Sequence, residues 1–422
     1  MGVTVRYRDL LARPEFASLT VAQIVSGLGD QVARIAVALL VLDRTGSASL
    51  SAAAFAVAYV PLVFGGTFLG PIADRFPRRA VLLTSDAARA ILLGLLALFA
   101  STGAPTLALL ALLLVAEVIT PVFDAAWTAT LTEVLPDGAQ YLAGSGLLRT
   151  LHLLQQVAGL AVGGLLVAVL QVQGALLLDA FTFAASFALL AAFLKRRSLP
   201  TGDRPTGRWA QQVREGFSDV FADPARRTLV LAGWGSAVVM IAPMAVALPY
   251  AEQVAGDAAL GGILMAATVG GAAVGSVLIA RRDPQWQIEA VVTLFIAACL
   301  PLLMVCVAPP LPVAVVLWFA SGAATGFLVP LIGTIALMTP PSLRGRAMAV
   351  AGAGYNALVA VVYLGAGAIA DASKPSAAVV VAGVIGLLVI GAVRVSWPTR
   401  QMRQALGRTY AQATSSADPA EQ

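Results

Sequence analysis

The sequence predicts an all-α membrane protein: twelve transmembrane helices in two pseudo-symmetric six-helix bundles. Three observations predict it: the apolar excess, the length of the apolar runs, and the placement of the basic residues. Of 422 residues, 59% are hydrophobic and 12% charged, and mean hydropathy is +0.87. A water-soluble domain of this size has too little interior to hide that much apolar side chain, so part of the solvent is lipid. A helix crosses a bilayer with about 20 mainly apolar residues. Twelve such runs fall at 16–42, 48–70, 80–101, 105–128, 142–170, 174–194, 229–251, 258–280, 288–308, 312–337, 347–371 and 376–396. They are too long and continuous for alternating barrel strands, and a helix satisfies its backbone within one segment. The first run exceeds the core of a cleavable signal and further spans follow it.

Basic residues orient the chain. Twelve spans put both termini on one side. With that side in the cytoplasm of a cell-membrane protein, the inner loops hold Arg13, Arg75, Arg78, Arg79, the Lys195-Arg196-Arg197 cluster, Arg281, Arg282, Arg344 and Arg346. The outer loops hold only Arg44 and Lys374. This asymmetry fixes topology, and the net charge of +5 needs no nucleic-acid partner.

One polar segment divides the runs six and six. Residues 1–194 read as an N-terminal bundle, 195–228 as a cytoplasmic linker, 229–400 as a C-terminal bundle and 401–422 as a disordered tail. In the linker, Trp209, Val213, Phe217, Val220 and Phe221 recur at helical spacing, so an amphipathic helix is expected on the membrane surface. At an offset of 205, Gly66 maps onto Gly271, Gly70 onto Gly275 and Pro136 onto Pro341, as a duplicated bundle would leave them. The only lysines are Lys195 and Lys374, and neither follows glycine, so no phosphate-binding loop of Walker type exists. Cys299 and Cys306 stand seven apart on one predicted helix, too far for a disulfide, and read as packing residues. With a single histidine, no metal site, cofactor or catalytic cluster stands out, and the chain is not expected to be an enzyme.

Charge is concentrated in GPIADRFPRRAVLLTSDAARA, residues 70–90, at the turn between the second and third runs. Asp74 would close a helix whose C-terminus carries partial negative charge, so something positive must compensate. The candidates are Arg75, Arg78 and Arg79, or the start of the eleventh run behind Arg344 and Arg346. An aspartate bridging two bundles would act as a latch. Gly70, Asp74, Arg75, Arg78 and Arg79 resemble the loop signature of the major facilitator superfamily, G-x-x-x-D-R-x-x-R-R/K, with Pro77 where glycine is usual. QIVSGLGDQVARIAVALLVLDRTGSA, LLLDAFTFAASFAL and PPSLRGRAMAV resemble its bacterial drug, macrolide and siderophore exporters. In the fifth run Gly146, Gln155, Gly159, Leu160, Gly163 and Gly164 partly match the antiporter signature G-x8-G-x3-G-P-x2-G-G; Gln155 and Leu160 depart from it. Small residues at this spacing would also simply let helices pack closely.

Ionisable groups at membrane depth are costly and need a reason. The first run carries Gln23, Asp30, Gln31 and Arg34 at helical spacing. Asp30 reads either as a protonatable site facing a watery cavity or as half of an Asp30–Arg34 pair. Glu117 and Asp124 share a face of the fourth run; Glu117 is a proton-coupling candidate or a structural carboxylate partnered by Arg34 or Arg149. His152, near Gln155 and Gln156, suits proton exchange or a structural role. Asp86 and Arg89 are expected to extend the cytoplasmic charge network, and Asp179, near the outer end of the sixth run, to be structural. The C-terminal half offers Trp234, Trp318, Tyr355 and Asn356 as an aromatic substrate wall, or as packing.

The resemblance implies alternating access and proton-driven export of a drug-like or secondary-metabolite molecule. Its partners would be that small molecule, protons and the bilayer, with the protein a monomer. A proton-independent exporter or importer, and a silent scaffold or sensor that kept the fold, are the alternatives.

Overall fold

A computed structural model describes residues 6–64, 75–197, 209–399 and 401–402. Gly66, Gly70 and Asp74, the first part of the linker and nearly all of the tail lie outside these described residues. Within them every regular element is helical. In chain order these are α1 (Tyr7–Leu11), α2 (Pro14–Thr45), α3 (Ala48–Ala56), α4 (Val60–Phe64), α5 (Arg78–Ser101), α6 (Thr106–Val118), α7 (Thr120–Val134) and α8 (Gly138–Phe193). The linker helix α9 (Trp209–Ala222) leads to α10 (Pro224–Ala245), α11 (Ala247–Ala255), α12 (Gly261–Ala280), α13 (Pro284–Glu289) and α14 (Val291–Leu303). Then come α15 (Leu311–Ala324), α16 (Leu328–Met338), α17 (Pro341–Ala372) and α18 (Pro375–Arg394).

Nine helical stretches among the described residues have the length and apolarity to cross a bilayer. One of them, α8, has 56 residues, about 84 Å of helix against a hydrocarbon core of about 30 Å. It is broken at Gln171, whose φ of 60° and ψ of 171° are not helical. Gly144 faces the ring of Phe16 near one end, and near the other the Lys195 N–H donates to Glu15. Both ends of α8 therefore meet the start of α2, and the chain reverses at Gln171 into two legs, 138–170 and 172–193. With α8 as two legs, two more of the predicted runs fall on shorter stretches, α3–α4 and α14.

The bundle has a terminal face, where the chain begins and α18 ends, and an opposite face. The positive-φ residues Gly46, Gly103, Gln171, Gly256 and Ala308 all lie in turns at the opposite face. A left-handed residue ends a helix and reverses the chain within one or two residues. At the terminal face, helices start instead on Pro14, Pro224, Pro284 and Pro341, where the missing N–H costs nothing.

Within the N-terminal half, α2 is the central helix. The first leg of α8 runs parallel to it in constant register: Gly144 on Phe16, Gln155 on Gly27, Gly159 on Gln31 and Gly163 on Ile35. The second leg runs antiparallel, with Asp179 and Thr182 against Gly29. In the C-terminal half, Gly271 and Gly275 of α12 lie on the backbone of Phe319 and Ala323 in α15, and Gly322 lies on Thr268. Contacts this close need glycine, because a Cβ would meet backbone that cannot turn aside. The linker helix α9 packs on α17 and α10: Val220 is buried, Gly216 faces Arg346 and Val350, and Phe221 lies 5.8 Å from Trp234 of α10. Of the two cysteines, Cys299 is buried, whereas Cys306 is exposed in a 3-10 turn and so is not a packing residue.

Gly275→Val puts side-chain atoms onto the Ala323 carbonyl, whereas at Gly365 a Cβ meets nothing within 4 Å. Overpacking costs about 1–3 kcal/mol. Gly275→Val should lower the unfolding midpoint in detergent by several degrees, while Gly365→Ala leaves it unchanged or raises it. Equal midpoints would remove the α12–α15 seam from the account of stability.

Candidate functional site

The site begins with a break in a helix. Pro121 has no N–H to give to the Glu117 carbonyl, so α6 stops at Val118 and α7 starts at Thr120. The break leaves Thr120 beside Glu117, and its hydroxyl donates to Glu117 Oε2 at 3.2 Å. From α2, Arg34 Nε donates to Glu117 Oε1 at 2.9 Å. From α5, Arg89 Nη2 donates to the Thr120 hydroxyl at 2.9 Å and to Asp30 Oδ1 at 3.4 Å, and lies 3.9 Å from Glu117 Oε2. Arg34, Glu117, Thr120, Arg89 and Asp30 thus form one connected chain across three spans. The Glu117 side chain is 4% exposed and that of Asp30 20%. Arg89 also lies over the Phe183 ring, 4.4 Å from its centre, a cation–π contact.

These positions correct several expectations. The Asp30–Arg34 pair is not formed: Arg34 goes to the more deeply buried Glu117, which has the greater need of a counter-charge, and Asp30 takes Arg89. Asp86 and Arg89 do not extend a surface network. They sit in the third and fourth turns of α5, both buried, with Asp86 accepting from Ser186 at 2.6 Å. Asp179 is not an edge residue but fully buried in the same region, with Thr182 beside it. Asp124 is exposed, in the field of Arg89, Asp30 and Glu117. His152 is half-buried and Arg149, the other partner considered for Glu117, is exposed.

The residues of the proposed substrate wall separate. Trp318 is fully buried against Tyr250, ring centres 5.8 Å apart, and the Tyr250 hydroxyl donates to the Pro309 carbonyl at 3.0 Å. It is core of the C-terminal half. Trp234 Nε1 donates to the Ala351 carbonyl at 2.9 Å and ties α10 to α17. Gln155 and Gln31 are buried, packed on Gly27 and Gly159. Gln23, Gln156, Tyr355 and Asn356 are half-buried. In the antiporter-like motif, Gly159 and Gly163 serve the α2 contact, Gly164 lies on the Ala259 carbonyl across the two halves, and Gly146 faces open space.

Two seams join the halves. In one, Gly164 and Leu160 of α8 meet Ala259 and Gly262. In the other, α3 meets α17: Phe55 stacks on Tyr363 at 5.7 Å, Tyr59 tilts against Tyr363 at 5.9 Å, and Gly367 lies on Ser49. Asp371 closes this seam at the opposite face. Its carboxylate accepts the Ala48 N–H at 2.6 Å, the Ser49 N–H at 3.1 Å and the Ser47 hydroxyl at 2.9 Å, and also the Ser49 hydroxyl. A carboxylate at the N-terminus of α3 meets free donors and the positive end of the helix dipole. Sequence reading passed over Asp371; the signal was the Ser47-Ala48-Ser49 helix start.

At the terminal face, the signature arginines bond within the N-terminal half. Arg78 pairs with Glu133 and donates to the Ala129 carbonyl at 2.9 Å. Arg79 donates to the Ala191 and Leu194 carbonyls at 2.6 and 2.8 Å, capping the end of α8. Arg197 spans Glu15 and Glu133, Arg75 is exposed, and Arg346 pairs with Glu215 of the linker helix at 3.0 Å. Gly70 and Asp74 lie outside the described residues.

Removing one partner of a buried ion pair strands the other. Arg34→Gln and Glu117→Gln should each destabilise the protein by about 3 kcal/mol, and the double variant by clearly less than the sum. Denaturant unfolding in detergent checks this, and additivity would mean that the pair is uncoupled.

Comparison with known proteins agrees with this architecture. The family model of the Major Facilitator Superfamily matches residues 19–307. The multidrug efflux pump Tap of Mycolicibacterium fortuitum is 27% identical over 393 residues, 89% of this chain and 94% of that protein. Tap of Mycobacterium tuberculosis (strain H37Rv) is 28% identical over 343 residues, 78% of this chain and 80% of that one. Among solved structures, the nucleoside transporter NupG superposes with a TM-score of 0.72 at 11% identity, covering 90% of this chain and 98% of that one. A bacterial homologue of the lysosomal transporter Spinster, inward-facing and unoccupied, superposes with a TM-score of 0.61 at 15% identity, covering 93% and 97%. At such identity the structures share the fold alone. The chain belongs to the major facilitator superfamily and is a multi-pass membrane transporter, not an enzyme.

Proposed function

We propose that this transporter exports a drug-like or secondary-metabolite amphipathic compound by alternating access, driven by protons. The observation that carries the reading is the Arg34–Glu117–Thr120–Arg89–Asp30 chain, charge held at membrane depth beside a seam between the halves. The multidrug efflux pumps among its relatives support the export direction. The arginine-rich terminal face is read as cytoplasmic, and the Asp371 seam as the closed outer side of an inward-facing state. The moving units are then 1–194 and 229–400, with 195–228 between them.

In this scheme Asp30, the more exposed acid of the chain, takes a proton and loses its hold on Arg89. Arg89 turns to Glu117, 3.9 Å away, and the packing of α5 on α2 changes. The movement opens the Asp371 seam and closes the terminal face, where Asp74 would meet the start of α17 as a second latch. Each proton crossing with the membrane potential supplies about 2.3 kcal/mol per 100 mV. Asp124 and His152 are further proton-coupling candidates, and Tyr355 and Asn356 are the remaining cavity candidates in the C-terminal half.

An efflux-deficient bacterium expressing the protein should accumulate less of at least one compound from a panel of cationic dyes, macrolides and siderophores. A protonophore should restore accumulation, and Asp30→Asn should abolish the difference. Export indifferent to the protonophore would overturn proton coupling. Separately, with Cys299 and Cys306 replaced by alanine, a cysteine introduced at buried Ala366 should react faster with an impermeant thiol reagent outside the cell when Asp371→Ala is added. An unchanged rate would overturn the outer-latch reading.

A further inference from the structure

Asp179 and Asp86 are both fully buried in the N-terminal half, and the scheme above uses neither. Among the described residues, Arg34 pairs with Glu117, and Arg89 with Asp30 and Glu117. Five carboxylates in this region, the exposed Asp124 among them, therefore share two guanidiniums, and Asp86 and Asp179 have no ion pair of their own. One oxygen of each, Asp86 Oδ1 and Asp179 Oδ2, is buried without a hydrogen-bond partner, as is Arg89 Nε. An ionised carboxylate at that depth requires donors on both oxygens.

The surroundings of Asp179 are more specific. The Thr182 hydroxyl lies 2.7 Å from the Asp179 carbonyl oxygen and 3.0 Å from Asp179 Oδ1. A hydroxyl carries one hydrogen. Thr182 donates that one hydrogen to both acceptors, so Oδ1 receives only a shared hydrogen and Oδ2 receives none, too little for an ionised carboxylate sealed from water. Gly29 lets the α2 backbone lie directly on Asp179 and Thr182, which seals them from water. The charged groups facing Asp179 are Asp30 and Arg34 from α2 and Arg89 from α5. Those facing Asp86 are Arg89 and Asp30, and from α6 Glu117 completes the set around Arg89. Phe183 and Ser186, on the same face of α8 as Asp179, hold Arg89 and Asp86 in place.

We propose that Asp179 is a second proton-binding site, sealed and loaded in this conformation, which exchanges its proton with Asp30 through Arg89. The site rests on the proton-coupled reading for its role in transport but not for its occupancy. When Arg89 turns from Asp30 toward Glu117 and Asp179 together, the O–H bond on Asp179 breaks and one forms on Asp30. The guanidinium keeps its charge, and the number of protons is unchanged. Asp30 then meets water and Asp179 does not, so the pair works as an outer and an inner station.

The test is infrared spectroscopy of the full-length protein in lipid vesicles, following the absorption of protonated carboxyl groups at neutral pH. The wild type should show this band, and Asp179→Asn should remove about half of it or more. Asp30→Asn should weaken the same band, because Arg89 is released to pair with an ionised Asp179; a merely structural, permanently protonated Asp179 would not respond. Thr182→Val, which leaves every charge in place, should move the band to higher frequency by removing the hydrogen bond donated to Asp179 Oδ1. A band unchanged by Asp179→Asn and Thr182→Val overturns the site, and one unchanged by Asp30→Asn overturns the exchange. Export that ignores a protonophore would instead remove proton coupling while leaving the band in place, so the two failures are distinguishable.

Discussion

Arg89 is the residue on which the N-terminal half depends. Its guanidinium touches Asp30 on α2 and Thr120 at the α6–α7 break, lies on Phe183 of α8, and sits one turn from Asp86. Four spans are tied through one buried charge. Such a group cannot be lost or moved alone, because each acid around it would then stand unpaired at low dielectric. A change in the charge of any one neighbour therefore becomes a change in how helices pack, which is what coupling between a proton and a conformation requires.

The glycine seams are the complementary constraint. Buried charge holds α2, α5 and α6–α7 by their side chains, whereas Gly159, Gly163 and Gly164 bring backbones into contact along α2 and against the C-terminal half. The first kind of contact depends on charge and the second does not. A half built from both is one packed unit, and it meets the other half along short seams. The α3–α17 seam is such a place: aromatic stacking at Tyr363 and one carboxylate, Asp371, close it at the opposite face. The C-terminal half, by contrast, holds its large aromatics as core, with Trp318 on Tyr250 and Trp234 bonded to Ala351.

The sequence by itself determined the helical class, the membrane as solvent, the position of nearly every helix and the concentration of buried charge in the N-terminal half. It did so because lipid leaves the backbone one cheap solution, and the length and apolarity of a run then announce a span. It also named Asp30, Arg34 and Glu117. What it could not decide was pairing. Spacing on one helix offered Asp30 to Arg34, but the tertiary structure gives Arg34 to Glu117 and Asp30 to Arg89, since partners are set by the rotation of neighbouring spans. The same reason hid the burial of Asp179, which looks like an edge residue until Gly29 is brought against it, and the partners of Asp371 at the Ser47 helix start. Apolar periodicity says that a helix is buried; only the packed bundle says which charge it meets.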